Sequence, residues 1–172
     1  MSLAAIRTLE LFSVFDTDNS GWINESDLPS VTDGQSAVKA QEVQNVRDLM
    51  TGLIKAADTD KDGRVSRQEI RAYLDNSLST KTLDELPAPI RDFTTKTFAL
   101  MDTNKAGSVS YEEFDAYLKA RTTTPDSASD FKRIVRSGSK FKVEDLHRAA
   151  FAFFTEPEDS CPELWLRAAV SV

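Results

Sequence analysis

Twelve residues from Asp58 to Glu69, DTDKDGRVSRQE, place an oxygen donor at almost every alternate position, which is the chemistry a hard divalent cation requires. Asp58, Asp60 and Asp62 stand at loop positions 1, 3 and 5, and the backbone carbonyl of Arg64 at 7. Ser66 follows at 9, acting through a water, and Glu69 at 12, where both carboxylate oxygens can serve one ion. Gly63 at position 6 supplies the sharp turn, and Val65 at 8 is an apolar residue able to pair with a neighbouring loop. Four carboxylates at this spacing point to calcium.

The pattern recurs twice. In DTDNSGWINESD the donors are Asp16, Asp18, Ser20, the carbonyl of Trp22, Asn24 and Asp27, with Gly21 at the turn. In DTNKAGSVSYEE they are Asp102, Asn104, the carbonyl of Ser108, Ser110 and Glu113, with Ala106 at position 5 and Gly107 at the turn. The loops start at 16, 58 and 102, which leaves room between them for an exit helix, a link and a second entering helix. Those helices must hold the loops, and their apolar spacing is visible. Phe12 and Phe15, Ile54 and Ala57, and Phe98 and Met101 precede the three loops at i, i+3 spacing. Ile70, Tyr73 and Leu74, then Phe114, Tyr117 and Leu118, follow the second and third loops. These aromatic residues are expected in a core.

The three loops resemble EF-hand loops, and EF-hands work in pairs, so a fourth unit is expected. Phe131 and Ile134 fit its entering helix, Phe141 its inter-loop position, and Leu146, Ala149 and Phe153 its exit helix. Arg136, Ser137, Ser139 and Lys140 stand where carboxylates would be needed, and the register fits best with one residue lost from the loop. The segment reads as a structural partner that binds no calcium, with a plain helical hairpin as the alternative. The expected fold is all-α: four helix-loop-helix units in two pairs, residues 1–76 and 92–155, joined by a linker at 77–91. A tail at 156–172 is expected to pack on the lobes.

Three silent or active features of the chain as a whole sharpen the resemblance. Three loops at these spacings, a silent fourth unit and a C-terminal extension make it similar to the sarcoplasmic calcium-binding proteins, calexcitin and the calerythrins. That resemblance implies a compact four-hand protein, a tail against the lobes, and buffering of cytosolic calcium with some magnesium occupancy. The apolar end PELWLRAAVSV, with Leu164, Trp165 and Leu166, either covers the protein's own apolar surface or docks on something else.

Loop chemistry ranks the sites. The second loop is expected to bind calcium tightest. Asp27 is one methylene shorter than glutamate, favouring six-coordination and therefore Mg2+ at the first loop, or weaker calcium binding. The third loop lacks a side-chain donor at Ala106 and a charge at Asn104, so it is expected to be weakened or inactive.

Composition bounds the remaining possibilities. The 172 residues are 40% hydrophobic, enough for one core or two small lobes. A net charge of −7 disfavours nucleic acid and anionic membranes, and three bound calcium ions would bring it to about −1. The single cysteine, Cys161, fits a reducing compartment, so a cytoplasmic monomer is expected. Ser2 stands where N-myristoylation needs glycine, and no stretch approaches a membrane span, so no stable membrane anchor is expected. The sequon Asn24-Glu25-Ser26 lies inside a metal loop and is discounted. An enzyme is not expected: His147 is the only histidine, and no catalytic constellation surrounds Cys161. One histidine also speaks against an aequorin-type photoprotein, which relies on several. A calcium buffer and a sensor that exposes a surface to a protein target remain as the two functional readings; the three methionines favour the buffer, because promiscuous sensor grooves are methionine-rich.

Overall fold

The computed structural model describes residues 3–78, 86–120, 126–135 and 137–156. The expected packing of the tail, the state of Cys161, the role of Arg136 and most of the linker lie outside these residues. Seven α-helices carry the described fold: α1 Leu3–Phe15, α2 Ala37–Ala57, α3 Arg67–Ser77, α4 Ala88–Met101, α5 Tyr111–Lys119, α6 Ser127–Val135 and α7 Val143–Thr155.

Four helix-loop-helix units need eight helices, and the missing one has a local cause. The first loop is followed only by a 3-10 turn, Glu25–Asp27, because Leu28 precedes Pro29 and adopts an extended conformation, ψ 126°. The proline ring clashes with helical backbone at the preceding residue, so the chain leaves the helix after one turn. It re-enters at Ser36, whose hydroxyl accepts the Lys39 N–H and caps α2.

Each pair of loops is joined by a two-stranded antiparallel ribbon. Strands β1 (Trp22–Ile23) and β2 (Val65–Ser66) align Ile23 with Val65; β3 (Val109–Ser110) and β4 (Lys140–Phe141) align Val109 with Phe141. Phe141 therefore occupies the inter-loop position expected of a fourth unit. From the last deeply buried apolar residue of the entering helix to that position the chain advances eight residues in the first three units (Phe15 to Ile23, Ala57 to Val65, Met101 to Val109) and seven in the fourth, from buried Ile134 to Phe141.

Both pairs share one continuous core. Phe12, Ile70, Leu74, Phe114, Phe141 and Leu146 are fully buried, as the apolar spacing predicted. Helix α2 packs on α4 and α1 on α7, so each pair covers an apolar face of the other. The guanidinium of Arg7 on α1 lies 5.0 Å from the Phe153 ring of α7, and Lys96 on α4 pairs with Asp48 on α2 at 2.5 Å. That lysine holds the Asp48 carboxyl below its usual range.

Close approach of α2 and α4 depends on Gly52. A Cβ at this position would lie 3.0 Å from Cβ of Pro89, the second residue of α4. Proline is tolerated there because the first helical turn has no partner for its missing N–H. Gly52→Leu is expected to destabilise the protein by about 1–3 kcal/mol through overpacking, read as a shifted denaturation midpoint. A midpoint equal to wild type would show that the two helices do not bear on each other here.

Candidate metal centres

The three loops share one backbone geometry. Gly21, Gly63 and Gly107 adopt φ of 86°, 84° and 74°, a region costly for any residue with a Cβ. Two positions earlier, Asn19, Lys61 and Lys105 are also left-handed, at φ 55°, 61° and 55°. This excursion was not read from sequence. Asparagine adopts it readily, but lysine gives no such signal.

These turns aim backbone N–H groups at the first carboxylate of each loop. Asp16 Oδ2 accepts the Gly21 N–H at 3.0 Å, Asp58 Oδ2 that of Gly63 at 3.0 Å, and Asp102 Oδ2 that of Gly107 at 2.9 Å. The residue at position 3 accepts the N–H at position 5 in each loop: Asp18 from Ser20, Asp60 from Asp62, Asn104 from Ala106. Ala106 therefore preserves the turn while supplying no side-chain oxygen. Its neighbour Asn104 donates to Glu113 Oε1 at 2.9 Å, tying together two of the expected ligands.

Position 12 closes each loop. Glu69 Oε2 accepts the Ser66 N–H at 2.9 Å, and Oε1 accepts the Thr59 hydroxyl at 2.8 Å and N–H at 3.1 Å. Asp27 engages Asn24 and Thr17 in the same way, and Glu113 engages Ser110 and the Thr103 hydroxyl. The carboxylate expected to clamp the ion is thus also the reciprocal cap of the exit turn or helix. Thr17, Thr59 and Thr103 were missed in the sequence reading, although the dipeptide Asp-Thr opens all three loops.

Hydrogen bonding sets the carboxylate chemistry. The Ser66 N–H, then the Thr59 hydroxyl, hold Glu69 down to about 2; the Ser110 N–H lowers Glu113, and the Ser20 hydroxyl lowers Asp18. A folded-state value below the unfolded one means stability that is complete above the unfolded value and lost as pH falls. In chelator, wild type is therefore expected to lose stability between about pH 4.5 and 2 that Glu69→Gln does not lose, measured by denaturation at several pH values. Equal losses in both proteins would contradict this.

The donor set fits a cation. Carboxylate oxygens of Asp16, Asp18 and Asp27 lie within 4.8 Å of one another, as do those of Asp58, Asp60 and Glu69. All are hard oxygen donors, suited to calcium or magnesium. Asp62 is not in the second group: its Oδ2 accepts from Arg64 Nε at 2.8 Å and its Oδ1 from the Arg64 N–H at 3.0 Å. Trp22, Arg64 and Ser108 stand at position 7, where Ser20 Oγ donates to the Trp22 carbonyl at 3.1 Å. Asn24, at position 9 of the first loop, caps the 3-10 turn: its Oδ1 accepts from the Ser26 N–H and hydroxyl.

The fourth loop has one feature the sequence reading overlooked. Asp145 occupies the position equivalent to 12 and caps Lys142 at 2.8 Å, as Glu69 caps Ser66. Arg148 pairs with that carboxylate. His147, on the same helix, meets Thr95 Oγ1 of α4 at 3.0 Å, and burial, then Arg91, lowers its imidazole below the usual value. It links α7 to α4.

Known proteins carry the same plan. The model of an EF-hand domain pair matches residues 7–75 and again 55–119. The chain is 38% identical over 71 residues to the probable calcium-binding protein CML17 of Arabidopsis thaliana, covering 41% of this chain and 39% of that protein. It is 44% identical over 59 residues to the probable calcium-binding protein CML11 of Oryza sativa subsp. japonica, covering 34% and 25%. The match thus spans between a quarter and two fifths of these curated relatives.

Among solved structures, a sarcoplasmic calcium-binding protein from amphioxus superposes with TM-score 0.62 at 22% identity, over 96% of this chain and 97% of that one. A Streptomyces coelicolor calcium-binding protein gives 0.57 at 22% identity, over 90% and 99%. Apo-aequorin in complex with (S)-HM-daCTZ gives 0.61 at 13%, over 94% and 90%. These likenesses establish the shared fold. With the domain-pair model matched across 7–119 and two loops that bring their carboxylate oxygens together, the chain belongs to the EF-hand family of calcium-binding proteins.

Proposed function

We propose that the protein is a non-enzymatic, intracellular calcium buffer that fills the loops 16–27, 58–69 and 102–113 without opening its lobes. One observation carries the reading: the apolar faces that a sensor would present to a target already cover each other. Leu11 and Phe15 of α1, Leu49 of α2, Phe93 of α4 and Phe153 of α7 converge between the pairs 1–76 and 92–155, and the cavity they leave is only about 40 Å3. Exposing those faces would return a shared core to water.

The second loop, with Glu69 pre-positioned over it, is the tightest calcium site in this reading. The first, closed by the shorter Asp27, accepts Mg2+ at cellular concentrations. Hydrophobic-dye fluorescence of chelator-stripped protein, titrated with calcium at fixed magnesium, tests the proposal. A flat or falling signal with calcium uptake confirmed is the expected result; a strong rise would replace the buffer with a sensor. The sensor reading draws on the Streptomyces coelicolor protein, which is described in terms of calcium-mediated regulation.

A further inference from the structure

Arg64 joins three features that the metal sites alone do not explain. Both oxygens of Asp62, the expected ligand at position 5 of the second loop, are engaged by this one residue. The guanidinium carbon lies 4.8 Å from the centroid of the Trp22 ring, and Trp22 belongs to the first loop. Strand pairing of Trp22 with Ser66 fixes that ring beside the second loop. An arginine laid on an indole face is attracted by the ring's negative potential and keeps its charge in place.

We propose that Arg64 is a tethered cation that competes with the metal for Asp62, and that Trp22 holds it there, so the first loop sets the affinity of the second. The inference rests on calcium binding at the second loop. A dication among Asp58, Asp60, Asp62 and Glu69 must displace the guanidinium from Asp62 or bind against its repulsion, and either lowers affinity. Asp62 and Arg64 are both partly exposed, so the effect is bounded. Exposed ion pairs and exposed cation–π contacts each contribute up to about fivefold in an equilibrium constant, so a three- to tenfold change is expected.

The experiment uses the full chain carrying Trp165→Phe, which leaves Trp22 as its single indole. Calcium affinity of chelator-stripped protein is measured by competition with a chromophoric chelator, Trp22 emission is followed separately where the indole is kept, and the second-loop transition is identified by its loss in Glu69→Gln. Arg64→Gln is expected to tighten that transition about three- to tenfold and to abolish the calcium-dependent change in Trp22 emission. Trp22→Phe is expected to tighten it about two- to threefold, and to add nothing in the Arg64→Gln background. Helical circular dichroism checks that each variant is folded. Unchanged or weaker affinity in folded Arg64→Gln overturns the proposal, as does an undiminished Trp22→Phe effect in that background. If Glu69→Gln removes no transition, calcium binding at the second loop itself fails, a separate outcome.

Discussion

Glu69→Gln is expected to lower calcium affinity at the second loop by on the order of 100-fold or more, while leaving the chelated protein folded at neutral pH. The substitution keeps the size and shape of the side chain but removes its charge and one strong donor oxygen from the carboxylate group. An amide oxygen still accepts a hydrogen bond, so the cap on Ser66 and the contact with Thr59 can persist in part. Calcium binding measured by chelator competition, with denaturation in chelator as the companion, separates ligand loss from unfolding. A change under about fivefold would mean that Glu69 caps α3 without holding the ion.

Phe141→Ala is expected to destabilise the protein by about 3–5 kcal/mol and to weaken calcium binding at the third loop. Phe141 is fully buried, with ring centroids of Phe98, Phe114 and Phe131 at 6.1, 5.8 and 5.7 Å. Those rings come from the entering and exit helices of the third unit and the entering helix of the fourth. Truncation leaves a cavity that three helices and a ribbon cannot close without moving. The backbone partner of Phe141 is Val109, next to Ser110 in the third loop, so the damage reaches that loop. A cost below about 1 kcal/mol, or unaltered third-site affinity, would show that the silent unit is dispensable to its partner.

Much of the site was legible in the sequence because its chemistry is local. Twelve consecutive residues contain every oxygen donor, and the turn that gathers them depends on one glycine. The heptad-like apolar spacing likewise identified Phe12, Ile70, Phe114 and Leu146 as core, since helical periodicity alone places them on one face. Proline at 29 keeps the first exit element short for the same local reason. The position-2 threonines and the reciprocal cap at Asp145 were equally local and were overlooked. Their signals, a repeated Asp-Thr and an acidic residue three after Lys142, were present in the sequence.

Tertiary structure alone decided which faces meet. Periodicity says that Phe12, Phe98 and Phe153 face a core, but it does not say that α2 lies on α4, or α1 on α7. The pairing of Asp48 with Lys96, the approach of Gly52 to Pro89, and the contact of His147 with Thr95 all join residues more than 30 positions apart. So does Trp22 over Arg64, which sets one loop's residue against another loop's ligand. The sequence by itself determined the oxygen cages, because their donors are neighbours along the chain. How the cages are coupled was decided by the fold, because it depends on contacts between segments that only packing brings together.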